Sequence, residues 1–187
     1  MRRLPQLVLI LTTLTNAWLL MQAVHELGHV VGGLLTGAVI KYVVLHPLEI
    51  SRTDFGANPS PLVACWSGPF FGAILPVIAW MLARWQRPSS AYWLKFFAGF
   101  CLIANGAYLA VGVRDGVGDA GDLLRLGSDP WQLYLFGAIA IPVGLWLWNG
   151  LGSSFGFGRD ANAVAWPAAI GSSALLLTTI VVELLLA

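Results

Sequence analysis

The chain has 187 residues, 58% of them apolar and only 10% charged, with a net charge of +1 and a mean hydropathy of +0.77. So few charges leave no room for a soluble domain of ordinary composition. A net charge this small gives no argument for nucleic acid or a strongly acidic partner. The composition is that of an integral membrane protein, and the nine Trp suit anchoring at bilayer interfaces. Cys65 and Cys101 stand apart in apolar stretches, form no C-x-x-C pair and read as small apolar fillers.

A bilayer span needs about 20 mostly apolar residues. The first segment that qualifies covers 4–35. Arg2 and Arg3 precede it as in a secretory signal, but no small-residue cleavage site ends the run, so it reads as a retained span. Its C-terminal half carries His25-Glu26-Leu27-Gly28-His29, which uses two of the three histidines in the chain. An ionisable side chain at mid-span costs roughly 2.5–3.5 kcal/mol on insertion scales, so such groups mark function. Residues four apart share a helix face, so His25 and His29 can aim imidazole nitrogens at one centre, as tetrahedral zinc requires. Glu26 is rotated about 100° from His25. It suits the general base acting on a metal-held water, the part it plays in H-E-x-x-H metalloproteases.

Residues 38–60 are too short and too polar to span. Positions 39–45 are β-branched and aromatic, His46-Pro47 breaks them, and 48–53 alternate apolar with polar, which predicts a strand–turn–strand hairpin. It is either an ordinary loop or an edge to which an extended peptide can add. Further spans are predicted over 62–83, 92–113, 131–148 and 164–186, separated by breaks at 84–88, 114–122 and 150–160. The third span ends on the same side of the membrane as the histidines, because neighbouring spans alternate in direction. It delivers Asp115, Asp119 and Asp122 there as candidates for the third metal ligand. Within that span Asn105 is a candidate donor to substrate or to a developing oxyanion, or a helix-packing group. His46, before Pro47 in a turn, is a remote candidate ligand. Gly28, Gly32, Gly33, Gly37, Gly68 and Gly72 read as small faces for close helix contact.

The fold class expected is an all-α polytopic membrane protein of about five transmembrane helices with a small β-hairpin between the first two. Residues 1–187 form one domain. His25-Glu26-Leu27-Gly28-His29, the Ser67-Gly68-Pro69-Phe70-Phe71-Gly72 stretch in the second span and an aspartate after the third together resemble the site-2 protease family of intramembrane zinc metalloproteases. The resemblance covers roughly residues 15–125. It implies a three-helix catalytic core at about 4–125, with additional helices over about 130–187, and a membrane-associated hairpin. It implies one Zn2+ held by His25, His29 and Asp119, with Asp122 as the alternative, and Glu26 as the catalytic base. Many members carry an N-x-x-P…L-D-G stretch. Here Asn105-Gly106-Ala107-Tyr108 lacks the proline and the aspartate arrives later, in Gly118-Asp119-Ala120-Gly121-Asp122, as in a compact branch of the family.

The activity implied is hydrolysis of peptide bonds within or near transmembrane segments of substrate proteins in the lipid bilayer, by a multi-pass protein of a bacterial plasma membrane. A zinc-binding but non-proteolytic scaffold or regulator is the alternative, and a transporter a third. The Lys and Arg distribution mildly favours a cytoplasmic N-terminus, whereas the resemblance implies a site opening to the cytoplasm; both orientations stand.

Overall fold

The computed structural model describes residues 3–86, 90–159 and 161–186; Arg2, Arg87, Pro88 and Asp160 lie outside them. In chain order the elements are α1 (Leu4–Leu35), β1 (Ile40–Val44), β2 (Arg52–Phe55), α2 (Pro61–Gln86), α3 (Ala91–Asp115), α4 (Gly118–Arg125), α5 (Pro130–Trp148), a 3-10 turn (Gly152–Phe155) and α6 (Trp166–Leu186). Five of the helices, α1, α2, α3, α5 and α6, are long and apolar enough to cross a membrane. Their polarity is inverted relative to a soluble bundle. Leu7, Leu11, Trp18, Ile170 and Leu177 face outwards, while Thr13, Asn16, His25, Glu26, Asn105 and Glu183 are buried. An outer surface of this kind suits lipid; among the described residues, Glu183 Oε2 is the one buried side-chain polar atom without a hydrogen-bond partner.

Each turn has a local cause. At the end of α1 Gly37 adopts φ +81°; the Ala38 N–H reaches the Gly33 carbonyl at 2.8 Å and the Gly37 N–H that of Leu34 at 3.1 Å. This Schellman arrangement ends the helix and turns the chain into the hairpin. At the end of α3, Gly116 (φ +61°) stops the helix, and its N–H bonds the Gly112 carbonyl at 2.8 Å. The chain then folds back into α4.

Two expectations need correction here. The second strand begins at Arg52, not at Leu48; the pairs are Val44↔Arg52, Val43↔Thr53, Tyr42↔Asp54 and Ile40↔Phe55. Residues His46 to Glu49 close a β-turn instead, the Glu49 N–H meeting the His46 carbonyl at 3.1 Å. The Ser51 N–H is drawn off to Gln22 Oε1 on α1 at 3.2 Å. The Gly/Asp stretch at 114–122 is also not simply a break, since helix resumes at Gly118. Ala120 and Leu123 hold α4 down by packing into a buried cluster with Cys65, Leu109 and Leu133.

Small residues let the helices approach closely. A Cβ on Gly28 of α1 would strike the Ser67 carbonyl oxygen of α2, and one on Gly32 the Ser67 side chain. In the α3–α5 contact a Cβ on Gly144 would stand 2.7 Å from the Gly99 carbonyl oxygen. Without a hydrophobic drive between helices in lipid, such close packing is what holds spans together. The helix α6 lies along α1 in the same direction, tied by polar contacts: Thr12 Oγ1 donates to Ser172 Oγ at 2.8 Å, and Asn16 Nδ2 to the Ser172 carbonyl at 3.0 Å. Thus α1, α2 and α3 pack in sequence, with α5 outside α3 and α6 outside α1.

Gly28→Ala, which forces a methyl against backbone, is expected to lower the melting temperature in detergent by several degrees, on the order of 1–3 kcal/mol of overpacking. Gly171→Ala, where no atom lies within 4 Å of the added Cβ, should not lower it. Equal melting of the two variants would contradict this picture of the α1–α2 contact.

Candidate metal centre

The histidines of α1 face α2 and α3. Room for the His29 ring comes from Gly68 of α2, where any Cβ would occupy the imidazole's place. Gly72, one turn on, leaves space for Asn105, whose amide atoms would lie 3.1 Å from a Cβ there. These glycines read from the sequence as helix-packing faces, but their more specific use is to admit two side chains of the site.

The α3–α4 turn carries Asp119 over the histidines. Its Oδ2 lies 2.7 Å from His25 Nε2 and 3.3 Å from His29 Nε2, and the two Nε2 atoms are 3.0 Å apart. The other ring nitrogens are committed. His29 Nδ1 lies 2.9 Å from the Ala64 carbonyl oxygen, which can only accept, so this nitrogen donates. Asn105 donates through Nδ2 to the Cys101 carbonyl at 2.9 Å, which turns its Oδ1 to His25 Nδ1 at 2.7 Å. His25 therefore also donates from Nδ1. In the neutral rings both Nε2 lone pairs, together with a carboxylate oxygen, face one point. Three acceptors this close repel one another unless a cation or a shared proton lies between them, and they can hold one metal ion.

Burial works to raise the pKa of Asp119; only where the rings also carry Nε2–H protons do hydrogen bonds from His25 and His29 outweigh it and hold the carboxyl below the usual carboxylate range. With both Nε2 lone pairs turned inwards, a cation has to supply that stabilisation.

Glu26 is buried beside this cluster and is held by the hairpin. Its Oε1 accepts from Ser51 Oγ at 2.9 Å and its Oε2 from Thr53 Oγ1 at 2.7 Å. All of these groups line one cavity of about 1000 Å³. Its lining combines apolar residues such as Trp18, Met21 and Ala104 with polar ones such as Asp54, Asn58 and Arg125.

Of the sequence candidates, His25, His29 and Asp119 come together, with Glu26 adjacent. Asp122 reaches the cavity, but its carboxylate is bonded to Arg125. Asp115 ends α3 away from the cluster, and His46 sits in the hairpin turn, its Nδ1 accepting the Leu48 N–H at 3.2 Å. Asn105 is 1% exposed and spends its amide on His25 and Cys101. It orients a histidine here, and its second Nδ2–H is the group that remains for a substrate or oxyanion. Sequence reasoning missed Ser51, Thr53 and Tyr108. The available signals were the i, i+2 spacing of the hydroxyls on one strand face and the i, i+3 spacing of Tyr108 from Asn105.

Comparison of the chain with known protein families, with curated proteins and with solved structures finds no match in any of the three.

Asp119→Ala should abolish divalent-metal binding by the purified protein, whereas Asp122→Ala should leave it unchanged. Asn105→Ala should weaken it about 10–100-fold, as loss of a ligand-orienting partner does. Metal affinities read by competition with a chromogenic chelator would check all three, and loss of binding in Asp122→Ala instead of Asp119→Ala would reverse the assignment.

Proposed function

We propose that this chain is an intramembrane zinc metalloendopeptidase of the site-2 protease kind, cutting peptide bonds within or beside transmembrane segments of other membrane proteins. The observation that carries the reading is the convergence of two Nε2 lone pairs and the Asp119 carboxylate beside a carboxylate, Glu26, that is not part of the cluster. Ligand atoms at 2.0–2.1 Å from a tetrahedral zinc stand about 3.3 Å from one another. The three separations of 2.7, 3.0 and 3.3 Å match that spacing after a slight opening. Two histidines and one carboxylate leave a fourth position, the pattern of a catalytic rather than a structural zinc.

A zinc ion held there supplies Lewis acidity to the scissile carbonyl and brings the pKa of a water towards neutrality. Glu26 takes the proton of the attacking water and later returns it to the leaving amine. Ser51 and Thr53 keep its carboxylate oriented by each bonding one oxygen, which leaves lone pairs on both to take up the proton. Asn105 and the Ala64 carbonyl fix the tautomers that turn both Nε2 atoms inwards.

The apolar part of the cavity lining suits a segment arriving from lipid, and the polar part suits water. A helical substrate keeps its carbonyls hydrogen-bonded, so it must unwind before attack. The strand β2 borders the cavity, and its edge away from β1 offers backbone groups with which an unwound segment can pair.

Glu26→Gln should retain about one zinc per chain and lose cleavage of a transmembrane peptide by at least ~10²-fold, the usual range for a general acid–base group. Full cleavage by this variant would remove Glu26 from the mechanism. Zinc bound by wild type without proteolysis of any membrane substrate would favour the scaffold or regulator.

A further inference from the structure

Tyr108 is not used by the reading above, yet it stands over the same cavity. It lies one turn beyond Asn105 on the same face of α3. Its ring meets His25 edge-on, with centroids 6.0 Å apart. The hydroxyl oxygen accepts the Asp119 backbone N–H at 3.0 Å. That N–H belongs to the first turn of α4, where helical donors have no partner within the helix. Gly118, at φ +57°, makes the contact possible, since a Cβ at this position would strike the hydroxyl. The turn that delivers Asp119 is thus built around the Tyr108 oxygen.

Accepting that bond uses a lone pair and leaves the O–H proton free. Among the described residues the hydroxyl has no acceptor, and Tyr108 lines the cavity with His25, Glu26, His29 and Asp119. The geometry points to Tyr108 as a hydrogen-bond donor to an oxyanion seated at the position that His25, His29 and Asp119 leave open. Suitable ligands are carboxylates, hydroxamates and the tetrahedral adduct of a peptide carbonyl. This rests on the metal reading above and adds a fifth group to the His25, His29, Asp119 and Glu26 site. Glu26 approaches from the hairpin side and Tyr108 from the α3 side. Proton transfer and oxyanion stabilisation therefore fall to different residues, and Tyr108 gives up no proton to do its part.

The test uses full-length wild type and Tyr108→Phe in detergent, each loaded with zinc and titrated with acetohydroxamate. Zinc should still be bound in the variant, its affinity weakened only modestly by loss of the bond to the Asp119 N–H, while hydroxamate binding to the zinc-loaded protein weakens about 10–100-fold, the effect of one donor to a charged ligand. In a cleavage assay kcat should fall by a similar or larger factor with KM unchanged. Equal hydroxamate affinity would overturn the assignment. So would loss of zinc in Tyr108→Phe, which would reduce the hydroxyl to a brace for Asp119. Absence of zinc from wild type would instead bring down the metal reading and this inference with it. If wild type holds zinc but cuts nothing, the protease reading falls while the hydroxamate titration still decides Tyr108.

Discussion

The structure depends on one electrostatic constraint, three acceptors made to face each other in an apolar interior. His25 and His29 cannot relieve the crowding by changing tautomer, because Asn105 and the Ala64 carbonyl already take the Nδ1 protons. Asp119 cannot retreat easily, because Cys65, Tyr108 and the packing of α4 hold its backbone. In a low-dielectric setting such a cluster is costly unless a cation completes it. The same constraint explains why so many neighbouring positions carry small or polar residues.

Those neighbours divide by element. Glycines supplied by α2 stand where the His29 ring and the Asn105 amide need space. From α3 come Asn105 to orient a ligand and Tyr108 to hold the turn. The hairpin supplies two hydroxyls to Glu26, so this carboxylate is positioned by an element different from the one that carries it. The helices α5 and α6 add no side chain to the cavity; they cover α3 and α1. Their contribution is to stability, through the glycine contacts of α3 with α5 and the hydroxyl and amide contacts of α1 with α6.

Long apolar runs admit few alternatives, so all five spans were legible, with bounds within three residues of those observed. The hairpin was legible as a pattern but not in register, because the Ser51 N–H bonds to Gln22, a side chain distant in sequence. The helix α4 was hidden by its Gly and Asp content, since its stability comes from burying Ala120 and Leu123. The histidine pair is written in a local spacing and could be read directly. The choice between Asp119 and Asp122 could not, because it turns on how the α3–α4 turn folds back. Asn105 was visible as a polar group in an apolar span, but its partner, His25, lies 80 residues away. For Ser51 and Thr53 the alternation marked a face without showing what that face would meet.

The most direct measurement is zinc K-edge X-ray absorption on the purified, zinc-loaded protein. The expected first shell holds nitrogen and oxygen only, at about 2.0–2.1 Å, with the outer-shell scattering of two imidazoles. A sulfur at about 2.3 Å would bring Cys65 into the site in place of Asp119. A spectrum without imidazole scattering would show that the three acceptors do not converge on a metal ion.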